Sequence, residues 1–110
     1  MSKRDTAILL QDIREALDKI TFFIAGMDRE MFMEDVRTVD AVVRNLEVIG
    51  EATKQLPDEF KASHQNVPWA QLAGLRNRIV HDYAGIDIEI IWQIIVVSVP
   101  QLRLQLADLT

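Results

Sequence analysis

Apolar residues recur three and four positions apart along most of this chain, and this spacing is typical of helices that bury one face. The chain has only four glycines and three prolines in 110 residues, which is few for a β-protein with many tight turns. The composition and the spacing therefore predict an all-α fold. The clearest apolar series is Leu10, Ile13, Leu17, Ile20 and Ile24, and it is interrupted at Gly26 and Asp28.

The same spacing predicts four helices. They span about residues 10–24, 34–55, 68–84 and 87–106, and residues 57–67 connect the second to the third with a short helical turn. Gly85 is expected to end the third helix and Asp87 to cap the fourth. Gly50 is expected to mark a close helix crossing, because a missing side chain lets two backbones approach. We expect one domain, residues 1–110, folded as an antiparallel four-helix bundle, or five helices if the connecting turn is counted.

The fourth helix carries more apolar surface than a core of this size can cover. Burying a Val, Leu or Ile side chain is worth roughly 1.5–3 kcal/mol, so several exposed ones would favour association. We therefore expect a homodimer, with a second helix face in the interface, unless residues 57–67 or a further short helix cover that face. Pro100 lacks a backbone donor and is expected to bend the helix near Val96. The second face consists of Ile90, Ile94, Val97 and Leu104.

Charge and composition exclude several function classes. Twelve basic against 17 acidic residues give a formal net charge of −5, so any nucleic-acid binding requires a small local cationic site. With no cysteines and two histidines, we expect no disulfides, no metal and no other cofactor. The longest uncharged stretch, residues 90–102, is shorter than the ~20 apolar residues that cross a bilayer. Since Asp5 and Asp12 also interrupt any signal-peptide core, we expect a cytoplasmic protein that does not bind membranes.

One stretch concentrates chemically useful side chains: Arg76-Asn77-Arg78-Ile79-Val80-His81-Asp82-Tyr83. At about 100° per residue, Arg76 and His81 point about 140° apart on a regular helix and cannot reach one ligand atom. Either the helix ends before His81, or a second subunit completes the site. An imidazole exchanges protons near neutral pH, a guanidinium binds phosphate, and a phenol donates a hydrogen bond or stacks on a base. This set suits metal-free RNA cleavage by a ribose 2′-OH.

A structural interpretation of the same residues is also open. Arg76 could pair with a carboxylate, His81 could interact with a helix C-terminus, and Tyr83 could belong to the core. Glu51 lies beside Ile49 and Gly50 on an otherwise apolar part of the second helix. It is expected either to hold Arg76 or the backbone near it, or to face solvent with Lys54 or Gln55.

The sequence resembles the HepT-like toxins of the HEPN superfamily, whose signature is an arginine, four residues, a histidine, one residue and a tyrosine. The resemblance covers nearly the whole chain, because several short motifs occur in the expected order. These are LQDI at 10–13, IGEA at 49–52, PW at 68–69, RNRIVHDY at 76–83, GID at 85–87 and Trp92.

This resemblance implies a dimeric helical bundle that acts as a metal-independent endoribonuclease, the toxin of a type VII-like toxin–antitoxin pair. Arg76 would bind the scissile phosphate, and His81 would act as general acid or base. Asn77 would position the phosphate or His81, unless it is a plain surface amide. The antitoxin would be a minimal nucleotidyltransferase that silences the toxin by adding AMP to Tyr83.

Two rival functions remain open from the sequence. The chain could be a non-catalytic subunit that presents nucleotide or substrate to a nucleotidyltransferase, or a dimerisation bundle in which Arg76 and His81 are structural. The acidic composition favours a selected RNA, such as a tRNA end, over a broad range of RNAs.

Overall fold

The part of the chain that the structure describes forms helices, loops and one short pair of strands. The computed structural model describes residues 4–81 and 85–109, with the backbone alone at His81 and Ile86. In this part of the chain the helices are α1 (Thr6–Phe23), α2 (Arg29–Glu34), α3 (Val36–Gln55), α4 (Asp58–Ala62), α5 (Trp69–Ala73), α6 (Leu75–Ile79), α7 (Ile88–Gln93) and α8 (Val99–Leu106). A π-helical segment, Ile94–Ser98, joins α7 to α8, and the strands are β1 (Val80–His81) and β2 (Gly85–Ile86).

The two longest helices, α1 and α3, pack along each other and form the centre of the core. Each begins at an aspartate whose carboxylate accepts a backbone N–H: Asp5 accepts from Ala7, and Asp35 accepts from Thr38 at 3.1 Å. The predicted apolar series on α1 is confirmed. Its members Leu10, Ile13, Leu17 and Ile20 are all buried.

Helix α2 is an element that the apolar spacing did not predict. Gly26 adopts a φ of +78°, and Asp28 then caps a helix of six residues. Phe32 is the buried residue of α2, and its ring lies 5.4 Å from that of Trp92. A helix this short with one buried residue has no repeated spacing to detect, so the predicted number of helices was incomplete.

The predicted third helix is divided and ends earlier than expected. Gly74 separates α5 from α6, and α6 ends at Ile79 rather than at residues 81–84. Val80 is already extended, with φ −107° and ψ 124°. Gly85, with φ +81°, lies opposite His81 in the antiparallel strand pair, so the prediction that it ends the helix was wrong.

The close crossing predicted at Gly50 is confirmed. A Cβ added to Gly50 would lie 3.2 Å from the carbonyl oxygen of Leu72 and 3.7 Å from that of Ala73. Helix α3 therefore packs backbone to backbone against α5. The neighbouring Thr53 is fully buried, and its hydroxyl donates to the Ile49 carbonyl at 2.7 Å, so the tight contact leaves no polar group unsatisfied there.

The C-terminal helix, residues 88–106, is continuous but changes its hydrogen bonding midway. Asp87 caps it as predicted, accepting from the Ile90 N–H at 3.2 Å. The π-helical segment surrounds Val96, whose carbonyl faces the position where Pro100 has no N–H to donate. The structure thus shows a change from α- to π-helical geometry near Val96, and the bend predicted there stays a prediction.

The predicted second face of this helix is only partly exposed. Ile94 is 2% exposed and Ile90 packs partly against the core, so the expectation was wrong for these two residues. Val97 and Leu104 are 62% and 77% exposed. Leu104 and Pro100 also line an open apolar groove of about 530 Å³ between this helix and the end of α1.

Across the described residues, no helix is both long and apolar enough to span a membrane.

Candidate functional site

The basic motif lies on α6, which two buried residues fix to the core. Leu75 and Ile79, at the two ends of the helix, are 4% and 0% exposed. The three residues between them, Arg76, Asn77 and Arg78, are all exposed. A helix of five residues is thereby anchored at both ends while its polar side chains face outward, so this short segment presents two guanidinium groups and an amide.

Arg76 contacts a carboxylate on α3. Its Nε lies 3.8 Å from the Oε2 of Glu47, and the side chains are 62% and 40% exposed, respectively. An ion pair this open to solvent contributes little to folding stability, with a median of about 0–1 kcal/mol. At 3.8 Å the contact is an ion pair and not a hydrogen bond.

Arg78 faces a different side of α6. It lines a narrow cleft of about 60 Å³ whose other polar lining residues are Gln71, Ser98, Gln101 and Gln105. Residues two apart on a helix point about 200° from each other, so Arg76 and Arg78 serve separate surfaces. This placement distinguishes the arginine of the predicted signature from its basic neighbour.

Glu51 makes the solvent-facing arrangement, the second of the two expected for it. Its Oε1 lies 3.5 Å from the Lys54 ammonium, and both side chains are more than half exposed. The carboxylate that contacts Arg76 is Glu47, one helical turn earlier, and the apolar spacing did not single it out. The close helix crossing at Gly50 is the feature that identifies Glu47 as the partner of Arg76.

The register between α3 and α5–α6 explains why Glu47 is the partner. Gly50 faces residues 72–73, and Glu47, three positions earlier, faces Arg76, three to four positions later. These two pairings show that α3 runs antiparallel to α5 and α6. Once Gly50 is placed against Leu72, one turn of each helix brings Glu47 to Arg76.

The backbone at His81 agrees with the first of the two arrangements left open by the sequence, in which the helix ends before His81. Helix α6 ends two residues before His81, and β1 pairs with β2 so that His81 lies opposite Gly85. The Asp87 N–H donates to the Ile79 carbonyl at 2.9 Å and fixes the start of α7 beside the end of α6. The His81 side chain and Tyr83 lie outside the described residues, so their predicted roles stay predictions.

Comparison with known proteins gives the class to which this fold and motif belong. The family model described as ribonuclease HepT-like matches residues 13–109. A protein of Methanocaldococcus jannaschii, named as a candidate RNase, is 44% identical over 100 residues, covering 91% of this chain and 83% of the relative. A Thermococcus cleftensis protein named "Probable ribonuclease HepT" is 38% identical over 101 residues, covering 92% of each chain.

A third relative, from Caldanaerobacter subterraneus subsp. tengcongensis and also named as a candidate RNase, is 37% identical over 100 residues, covering 91% of this chain and 89% of the relative. No solved structure matches the chain significantly. These matches define a class of ribonucleases. The chain belongs to the ribonuclease HepT-like family.

Proposed function

We propose that this protein is a metal-independent endoribonuclease and the toxin of a type VII-like toxin–antitoxin pair. The observation that carries the proposal is the placement of Arg76. It is exposed on an anchored helix, and the helix ends at Ile79, two residues before His81. Family membership supports ribonuclease activity and an RNA substrate.

In the proposed reaction the ribose 2′-oxygen attacks the adjacent phosphorus, and the bond from phosphorus to the 5′-oxygen breaks. The products are a 2′,3′-cyclic phosphate and a 5′-hydroxyl. Arg76 binds the phosphate and stabilises the negative charge that increases on its non-bridging oxygens. His81 takes the proton from the 2′-hydroxyl or gives one to the leaving oxygen, an effect typically worth 10²–10⁴-fold in rate.

Asn77 is proposed to support this site. It lies next to Arg76 in α6 and is exposed, so its amide is free to donate to a phosphate oxygen or to hold His81. The net charge of −5 disfavours non-specific phosphate binding, which favours a selected RNA such as a tRNA end. The RNA and nucleotide partners place the protein in the cytoplasm under this proposal.

The functional unit is proposed to be a homodimer. The exposed apolar residues Val96, Val97, Pro100 and Leu104 form what we call the C-terminal apolar surface. Covering the side chains of Val96, Val97 and Leu104 at roughly 1.5–3 kcal/mol each would favour association. A second copy of the chain offers the same surface, so a two-fold symmetric contact would cover both at once.

The partner antitoxin is proposed to be a minimal nucleotidyltransferase that modifies Tyr83. The phenolic oxygen would attack the α-phosphorus of ATP, which releases pyrophosphate and a proton and leaves a tyrosyl–AMP ester. Each AMP adds a negative phosphate close in sequence to Arg76 and a base that occupies the RNA site. Activity would thereby be blocked by charge and by bulk.

The proposal is tested by incubating the purified protein with RNA in the presence of a chelator. Wild type is expected to cleave, whereas Arg76→Ala and His81→Ala are expected to lose cleavage while keeping a helical circular dichroism spectrum. Arg37→Ala, which removes another exposed arginine, is the matched control and is expected to cleave normally. Normal cleavage by Arg76→Ala would overturn the proposal. A chain that binds nucleotide but never cleaves would instead match a non-catalytic subunit.

A further inference from the structure

We propose that Glu47 is a positioning residue that aims Arg76 at the RNA phosphate, an inference that rests on the proposed function. The contact joins the Nε of Arg76 to the Oε2 of Glu47 at 3.8 Å. The two residues lie on different helices, and the backbone crossing at Gly50 fixes the distance between those helices. The carboxylate is therefore held relative to the motif by the core and not by a loop.

The atom that Glu47 contacts matters for the chemistry. A guanidinium presents five N–H donors around a planar group, one on Nε and four on the two terminal nitrogens. When a carboxylate lies beside Nε, the edge formed by the two terminal nitrogens is the one left for a phosphate. Glu47 thus limits Arg76 to one approach, in which its outer edge faces the ligand.

Of the other charged groups that line the groove with Glu47, three have partners of their own, and Arg44 has no ion pair among the described residues. Glu47 lines a groove of about 230 Å³ between α1 and α3 together with Arg4, Asp12, Arg44 and Glu51. Arg4 pairs with Asp12 at 2.9 Å, and Glu51 pairs with Lys54 at 3.5 Å. Among the described residues, Glu47 is the one carboxylate in an ion pair with Arg76.

The same carboxylate also weakens the binding of RNA. Its negative charge lies beside the guanidinium that receives a negative phosphate, so it weakens the attraction between Arg76 and RNA. Glu47 should therefore raise both kinetic constants: it raises kcat by orienting Arg76, and it raises KM by repelling RNA. A residue that served only folding would alter the amount of active protein and leave KM unchanged.

The experiment measures kcat and KM of the full-length protein on one RNA for two substitutions of this residue. Glu47→Gln is expected to lower kcat about tenfold through loss of orientation, and to lower KM about two- to fivefold through loss of the repelling charge. Glu47→Asp keeps the charge but shortens the reach, so kcat should fall while KM stays close to wild type. A fall in kcat together with a fall in KM in Glu47→Gln is the signature of positioning.

Two matched variants serve for comparison. Glu89→Gln removes another exposed carboxylate that pairs with an arginine, Arg29. It should leave both kcat and KM unchanged. Glu51→Gln tests the neighbouring carboxylate on the same helix. If kcat and KM both fall in Glu51→Gln and do not both fall in Glu47→Gln, the assignment to Glu47 is overturned.

A nuclear magnetic resonance measurement tests the contact without activity. The Nε–H signal of Arg76 is expected to shift in Glu47→Gln and to stay in place in Glu89→Gln. Unchanged kinetics of Glu47→Gln in an active protein would overturn the positioning role alone. If wild type cleaves no RNA, the proposed function fails and the positioning role fails with it, even where the signal shifts.

Discussion

Gly50 of α3 lies so close to Leu72 of α5 that a Cβ at residue 50 would stand 3.2 Å from the Leu72 carbonyl oxygen. This contact brings two helix backbones together without intervening side chains. It also sets the register that places Glu47 beside Arg76, because one turn along each helix separates the two pairs. The position of the motif arginine therefore depends on a glycine about 26 residues away in sequence.

Gly50→Val is expected to destabilise the fold. Its methyl groups would meet the backbone of α5, which cannot move without disturbing the core, and overpacking of this kind costs about 1–3 kcal/mol. Gly50→Ala is the control: its single Cβ is crowded, but alanine gains up to about 1 kcal/mol of helix propensity over glycine. Urea denaturation checks this order. A Gly50→Val protein as stable as wild type would show that the crossing tolerates a wider spacing.

Leu104→Glu is expected to convert the proposed dimer to a monomer and to reduce RNA cleavage. Leu104 is 77% exposed within one chain, so a charge there should not unfold the protein but would be buried in a symmetric interface. Light scattering after size-exclusion chromatography measures the mass.

The matched control for this prediction is Val36→Glu, at a residue 69% exposed near the start of α3 and outside the C-terminal apolar surface. It should leave the mass unchanged. A monomeric wild type would contradict the proposed dimer. A Leu104→Glu protein that still dimerises would place the interface elsewhere.

Asp35 predicts a specific loss of stability in acid. A hydrogen bond from the Thr38 backbone N–H, with further help from the Thr38 side chain, lowers the pKa of Asp35 from its ordinary value of 3.8. A lowered pKa stabilises the folded chain above pH 3.8, and this stabilisation is lost as the pH falls through the folded-state pKa.

Asp35→Asn keeps an acceptor at the helix cap but does not titrate. Its melting temperature should be below that of wild type at pH 7, and the difference should shrink at pH 3. Asp40→Asn removes a charge from the same helix away from the cap and serves as control. A difference that grows in acid would contradict the capping role.

Tyr83 is expected to be the acceptor of AMP. Incubation with the proposed nucleotidyltransferase and ATP should add the mass of AMP to the wild-type protein and abolish its cleavage of RNA. The Tyr83→Phe protein should gain no mass and stay active. The intact mass of the protein gives the answer. AMP on Tyr83→Phe would place the modification at another residue.

Repeated apolar spacing predicted the long helices well because each turn adds the same evidence. It predicted the buried series on α1, and residue type predicted the cap at Asp87 and the close approach at Gly50. It failed where an element is too short to repeat, as in α2, or where neighbouring strands override a helical pattern, as after Ile79. Residues 80–81, directly after α6, pair with the strand at residues 85–86. The spacing of apolar residues does not indicate such a pairing.

The roles of the predicted site residues stay predictions, and the structure gives only the exposure and contacts of those that it describes. Arg76 and Asn77 were identified because their residue types suit phosphate chemistry, and both are exposed. Glu47 was missed because a carboxylate on a polar helix face resembles any other until the register between two helices is known. Glu51, which lies beside the conspicuous Gly50, drew attention for that reason and instead contacts Lys54.

The ends of the RNA products test the central claim most directly. We expect wild type, in the presence of a chelator, to leave a 2′,3′-cyclic phosphate and a 5′-hydroxyl, as identified by mass spectrometry, and Arg76→Ala to leave no product. An RNA that carries a single 2′-deoxyribose at the cleaved position should resist cleavage. Products with a 3′-hydroxyl and a 5′-phosphate, or cleavage of the deoxy-substituted site, would contradict attack by the ribose hydroxyl and with it the roles given to Arg76 and His81.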